Sequence, residues 1–216
     1  MKLQQDIEIY IESHIDAQDA LLHELERETW LTTMNPRMLS GHIQGNILAM
    51  MSKMIAPTRI LELGAFTGYS AICLAKGLKT NGKLVTIEAN DELESLALKY
   101  FKKAGLENTI EMITGPALEI IPGLETGFDL VYIDADKREY SRYYAAVFEK
   151  VVPCGWIIAD NILWDGKIAA DAKKVDAQTR GILEFNDLVA SDNRVEKVIL
   201  PIRDGISVIR KKPTDS

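Results

Sequence analysis

The strongest constraint on this chain is an alternation of two periods. From residue 59 onward, short apolar runs of strand length take turns with stretches of helical spacing. Strands are expected at 59–63, 83–88, 110–113, 128–134 and 156–160. Helices are expected at 69–79, 91–104, 116–121, 138–151 and 167–190. Two last strands, 195–202 and 206–211, flank the turn Arg203–Asp204–Gly205. The pattern predicts a doubly wound α/β sheet, mostly parallel, with an antiparallel C-terminal hairpin at one edge.

Ahead of the alternation, Leu3, Ile7, Ile11 and Ile15 recur every four residues, and Leu21, Leu22 and Leu25 continue an apolar face. Residues 3–30 therefore read as one helix. A second helical stretch covers 36–55, with Pro36 in its first turn and Pro57 breaking the pattern. A single domain over 1–216 is expected, with N-terminal helices over 1–56 covering a core at 57–216.

The net charge of −7 gives no general attraction to nucleic acid or anionic membranes. No apolar run approaches a membrane span, and the opening MKLQQDIEIYIESH lacks the apolar core of a signal peptide. Cys73 and Cys154 stand in apolar stretches and read as buried free thiols, in keeping with a reducing cytoplasm.

Open α/β sheets bind ligands beyond the carboxyl ends of their strands. Glu62, Glu88, Asp134 and Asp160 all fall at or near such ends. Gly64 and Gly68 bracket a strand-to-helix turn, but their spacing is not the three-glycine dinucleotide fingerprint, which argues against a nicotinamide-dependent dehydrogenase. Glu88 closes the next strand, where a carboxylate can accept hydrogen bonds from ribose hydroxyls or cap the following helix. Asp134, Asp160 and the amide oxygen of Asn161 are hard donors that suit magnesium, calcium or manganese. Neighbours in a regular strand point to opposite faces. Asp160 and Asn161 therefore reach one ion only if the strand ends or bends there; otherwise they simply start a turn.

LELGAFTGYS (61–70) and VTIEAN (85–90) resemble the first two motifs of class I S-adenosylmethionine-dependent methyltransferases, a Rossmann-like fold. With YIDADK (132–137) and IIADN (157–161) added, the chain resembles the metal-dependent catechol and caffeoyl-CoA O-methyltransferase family. The likeness runs from MLSGHIQGNIL (38–48) to LPIRDGISVIRKK (200–212). It implies that Gly64, Ala65, Gly68, Tyr69 and Ser70 wrap the methionine end of S-adenosylmethionine and that Glu88 holds its ribose. Glu62 would support the turn and reach the cofactor amine, and Ala117 would lie beside the adenine. Met38 and Ser40 match a segment over the cofactor, Tyr143 a tyrosine near it, and Asp136 a contact to substrate or cofactor. Asp134, Asp160 and Asn161 are implied metal ligands, with magnesium first in line; Lys137 is the implied catalytic lysine, acting beside Asp134.

The implied partners are a small aromatic acceptor with vicinal hydroxyls and a second copy of the chain in a homodimer. A phenol titrates near pH 10 and is a poor nucleophile at neutral pH. A bound divalent cation stabilises the phenolate, and Lys137 takes the proton. The alternative acceptor is 5-hydroxyuridine at a tRNA wobble position, since relatives of this family methylate it. Arg37, Lys53, Arg203 and Lys211–Lys212 are the cations that would form a patch for it. The acidic chain argues against that acceptor. A non-catalytic ligand-binding protein is disfavoured by the complete set of metal residues plus Lys137.

Trp164, in NILWDG, is placed to wall the acceptor pocket. Asp165 departs from the LWNG usual in plant caffeoyl-CoA enzymes. His14 and His23 read as helix-surface groups, and His42 as structural or site-lining.

Overall fold

A computed structural model of the chain describes residues 2–169 and 175–213. Its sheet has seven strands in the order β3-β2-β1-β4-β5-β7-β6. These are β1 Arg59–Leu63, β2 Lys83–Glu88, β3 Ile110–Thr114, β4 Phe128–Ile133, β5 Val151–Asp160, β6 Val195–Leu200 and β7 Ile206–Lys211. The first five are parallel, whereas β7 runs antiparallel between β5 and β6. The predicted doubly wound sheet with its C-terminal hairpin is what forms.

Central strands bury both faces, so their sequences are continuous apolar runs. Along β4, Leu130 and Tyr132 join one core cluster while Val131 and Ile133 join the other. The first cluster packs beneath α2 (Ala20–Thr32), α3 (Gly41–Ile55), α4 (Tyr69–Ala75) and α5 (Glu94–Lys103). The second lies beneath α6 (Ala117–Ile120), α7 (Tyr140–Phe148) and α8 (Ala177–Ser191).

Several boundaries differ from expectation for identifiable reasons. The helix expected over 3–30 is two, α1 (Lys2–Glu12) and α2. The Ser13 hydroxyl bonds the Tyr10 carbonyl, and the Asp19 carboxylate caps the Leu21 N–H, so local side chains end one helix and start another. On α1, Ile7, Ile9 and Tyr10 are exposed, and the side chain of Leu3 lies outside those described. The stretch expected as helix from 36 opens with a 3-10 turn, Pro36–Met38, before Gly41 begins α3. Strand β5 is longer than 156–160 because residues after Val151 bulge out of register against β4 before pairing resumes at Trp156. That bulge holds Cys154 at φ +65 and exposes it, which corrects its reading as a buried thiol; Cys73 is buried as expected. Of the helix expected at 167–190, residues 170–174 lie outside the described residues, and regular helix begins at Ala177. Among the described residues, no helix is long and apolar enough to cross a membrane.

Strand order reverses between β1 and β4, the switch point where such sheets bind ligands. There the backbones of the two following loops touch. Gly64 sits at φ +96, and a Cβ on it would lie 2.1 Å from the Asp134 carbonyl oxygen. The Asp134 N–H in turn donates to Leu63 O at 2.9 Å.

Candidate active site

A cavity of about 990 Å³ opens at that switch point, lined from the carboxyl ends of β1, β2, β4 and β5. On one side, the turn after β1 brings Gly64, Ala65, Phe66, Tyr69 and Ser70 to the wall, opposite Gly115–Pro116–Ala117. Glu88 anchors this side from within. Its carboxylate accepts from Phe66 N at 2.7 Å and from Asn90 N at 3.0 Å, so it fixes the turn and also begins the next one. The N-terminal cover closes over the same turn. Thr29 on α2 donates to Thr67 at 3.0 Å with both residues fully buried, and Gln18 donates to the Tyr69 hydroxyl at 3.0 Å.

The other side gathers oxygen donors. Ile133 of β4 pairs with Ala159 of β5, so one step further along the parallel register Asp134 and Asp160 are neighbours. Asn161 follows at φ +58. That left-handed residue breaks the strand alternation and brings Asp160 and Asn161 into one cavity, as the sequence required for a shared ion. Desolvation, and then the charge of Asp134, raises the Asp160 carboxyl above the ordinary carboxylate range. Two crowded carboxylates with an adjoining amide oxygen form a donor set that fits a hard cation. Among the described residues, no group of three His, Cys, Asp or Glu side chains makes a metal cluster.

Lys137 is buried at the edge of this group. Its Nζ donates to Asp134 Oδ1 at 2.6 Å and to the Tyr140 hydroxyl at 2.8 Å. Tyr140 is itself fully buried and donates to the Asp160 carbonyl at 3.0 Å. Burial, followed by the charges of Asp134 and Asp160, raises its pKa, so it stays a donor. On the far side of Asp160, Gln44 of α3 and Tyr132 of β4 both donate to Oδ2, the latter at 3.0 Å. Trp164 lines the cavity with its ring centroid 5.9 Å from Lys137 Nζ, and its buried indole N–H has no partner among the described residues.

The O-methyltransferase family profile matches residues 12–212. The chain belongs to the O-methyltransferase family. Membership carries the enzyme class read from the sequence, O-methyl transfer dependent on S-adenosylmethionine. Caffeoyl-CoA O-methyltransferase 2 of Populus trichocarpa is 36% identical over 185 residues, covering 81% of this chain and 75% of the relative. An O-methyltransferase from Bacillus cereus, solved in complex with SAH, superposes with a TM-score of 0.90 at 28% identity, covering 96% of this chain and 97% of its own. One from Streptomyces achromogenes involved in tomaymycin synthesis, solved in complex with SAM, gives 0.89 at 26%, covering 96% of each chain.

Most residues singled out from the sequence of this O-methyltransferase meet in the one cavity. Met38, Ser40, Gly64, Ala65, Tyr69, Ser70, Glu88, Ala117, Asp134, Asp136, Lys137, Tyr143, Asp160 and Asn161 all line it. Two do not. Glu62 is completely buried beneath the turn, where its carboxylate accepts from the Thr86 hydroxyl at 2.5 Å, and it does not line the cavity. Gly68 is a packing residue: at φ +87, a Cβ on it would come within 2.5 Å of the Phe101 ring. Asp136 lines the wall, but the Arg138 guanidinium grips its carboxylate, at 2.9 Å from Nε, and holds its pKa below the usual range.

Asp165 is exposed at φ +54 and outside the cavity lining, with its backbone N–H bound to the Asp204 carboxylate. His42 bonds the Asp16 carbonyl at 2.8 Å, a structural role, while His14 and His23 are exposed. His14 lies in the turn after α1, not on a helix.

Sequence reasoning missed Gln44, Tyr132 and Tyr140; Phe66 falls within the Gly64–Ser70 span already expected around the cofactor. Gln44 lies within MLSGHIQGNIL (38–48), and its signal is a polar side chain among apolar helix positions. The two tyrosines flank the Asp134–Lys137 stretch inside an expected strand and an expected helix, and nothing local in the sequence marks where their hydroxyls point.

Proposed function

We propose that this enzyme transfers the methyl group of S-adenosylmethionine to a hydroxyl of a catechol-like acceptor, with help from a divalent cation, magnesium first. The observation that carries this reading is the meeting of Asp134, Asp160, Asn161 and Lys137 in one cavity with the Gly64–Ser70 turn and Glu88. The carboxylates of Asp134 and Asp160 and the amide oxygen of Asn161 would hold the cation. When bound, it supplies the positive charge that stabilises a phenolate at neutral pH.

The chain's own groups do the rest. Gly64, Ala65, Tyr69 and Ser70 hold the methionine end of the donor, Glu88 its ribose and Ala117 its adenine. Met38, Ser40 and Tyr143 complete the cofactor wall. Lys137, fixed between Asp134 and Tyr140, accepts the acceptor's phenolic proton when it carries the neutral amine, whose lone pair takes the proton. The phenol oxygen then forms a bond to the methyl carbon as the sulfonium C–S bond breaks, and S-adenosylhomocysteine is released. Trp164 supplies an apolar wall for the aromatic ring.

The tRNA alternative gains nothing from the relatives described above. Three of the cations it called upon also serve the chain itself. Arg203 donates to Ser40 O, Lys211 to Phe148 O and Lys212 to Asn193 O. The reading includes a cytoplasmic homodimer. Free thiols suit a reducing compartment, and exposed Met50, Met54, Val198 and Ile199 offer apolar surface of the kind subunit contacts bury.

The test is methyl transfer from labelled S-adenosylmethionine to a catechol panel, with magnesium and with chelator. Transfer should be lost with chelator and in Asp160→Ala, while S-adenosylhomocysteine binding survives both. Undiminished turnover of Asp160→Ala in chelator would end the metal reading, and transfer to no vicinal diol would end the acceptor reading.

A further inference from the structure

We infer that Gln44 is a positioning residue for the Asp160 carboxylate, which makes helix α3 of the N-terminal cover a working part of the ion site. The inference rests on the metal role proposed above for Asp160.

Gln44 is 1% exposed, on the face of α3 that also buries Leu48 and Ser52. A buried amide is costly unless it is hydrogen-bonded. Its Nε2 donates to Asp160 Oδ2 across 116 residues of sequence. The Tyr132 hydroxyl donates to the same oxygen at 3.0 Å, and the Asn161 backbone N–H donates to Oδ1 at 2.8 Å.

A carboxylate offers about four lone-pair directions, two on each oxygen. Gln44 and Tyr132 occupy both on Oδ2. Asn161 occupies one on Oδ1, which leaves the other lone pair of Oδ1 without a donor among the described residues. Three donors from three directions therefore fix the rotation of the Asp160 side chain and select the oxygen it can offer to a cation. Tyr132 and Asn161 come from the sheet and its following turn, whereas Gln44 is the donor contributed by the cover. Outer partners that orient ligating carboxylates typically change metal affinity by about 10–100-fold when removed.

The test uses the full-length protein and manganese as the probe, read by the loss of free Mn²⁺ signal in electron paramagnetic resonance. Binding of S-adenosylhomocysteine is measured in parallel by calorimetry. Gln44→Met keeps the volume and removes the donor. It should weaken Mn²⁺ binding about tenfold or more while S-adenosylhomocysteine affinity stays within about twofold, a split that a general packing defect would not produce. In the wild-type chain, magnesium should also shift the Gln44 side-chain amide resonances, a readout that needs no variant. If wild type binds Mn²⁺, Asp160→Ala loses it and Gln44→Met binds as wild type does, the inference is overturned and the metal reading stands. Unmoved Gln44 amide resonances at saturating magnesium overturn it equally. If wild type binds no Mn²⁺, the metal reading falls and takes the inference with it.

Discussion

Glu62 is a fully buried carboxyl placed beneath the turn that the family resemblance expected it to support. Its replacement by glutamine should show what that burial costs. Desolvation, with smaller contributions from the charges of Asp134 and Glu88, raises its pKa from 4.5 to about 7, against the lowering effect of the Ser70 and Thr86 hydroxyls. Between these two values the unfolded chain releases the proton and the folded chain keeps it. The folded state therefore loses stability as pH rises through this window, with no loss below it and a constant loss above. The difference amounts to about 3 kcal/mol, or roughly 6–12 °C in Tm for a domain of this size.

Glu62→Gln removes the ionisation but puts an amide NH2 in place of Oε1, which has no partner among the described residues, at a pH-independent cost of about 1–3 kcal/mol. The pH dependence, not the absolute level, isolates the effect. Measured by calorimetry without cofactor, the Tm of the variant minus that of wild type should climb by roughly 6–12 °C from pH 4.5 to pH 8. Parallel Tm curves across that range would refute the argument that Glu62 is a carboxyl held neutral by its surroundings.

Two further changes probe the site. Gly64→Ala places a methyl group against the Asp134 carbonyl at positive φ and should cost at least about 2 kcal/mol by thermal unfolding; a stability equal to wild type would mean that the two loops do not approach this closely. Tyr140→Phe removes the acceptor for Lys137 and leaves the Asp160 carbonyl short of a donor. It should destabilise by about 1–3 kcal/mol and lower kcat with S-adenosylhomocysteine affinity intact, and unchanged kcat would show that Lys137 needs only Asp134.

By itself the sequence carried the architecture and the enzyme class. Apolar runs such as Ile60–Leu63 and Leu130–Ile133 have one economical fate, a sheet covered on both faces, and acidic residues at their ends point to ligand contacts. These signals are local: composition, period, and what ends a run. Tertiary structure decided what local signals do not carry. Strand order and register set Asp134 beside Asp160, and a left-handed residue at position 161 turned Asn161 into the same cavity. Packing of α3 against the sheet brought Gln44 to Asp160, and packing of α7 brought the Tyr140 hydroxyl under Lys137. It also withdrew Glu62, because the side-chain alternation along β1 sends it into the core beneath the turn while the loop backbone above meets the cavity. Each of these depends on pairs far apart in the chain, so only the closed fold could assign them.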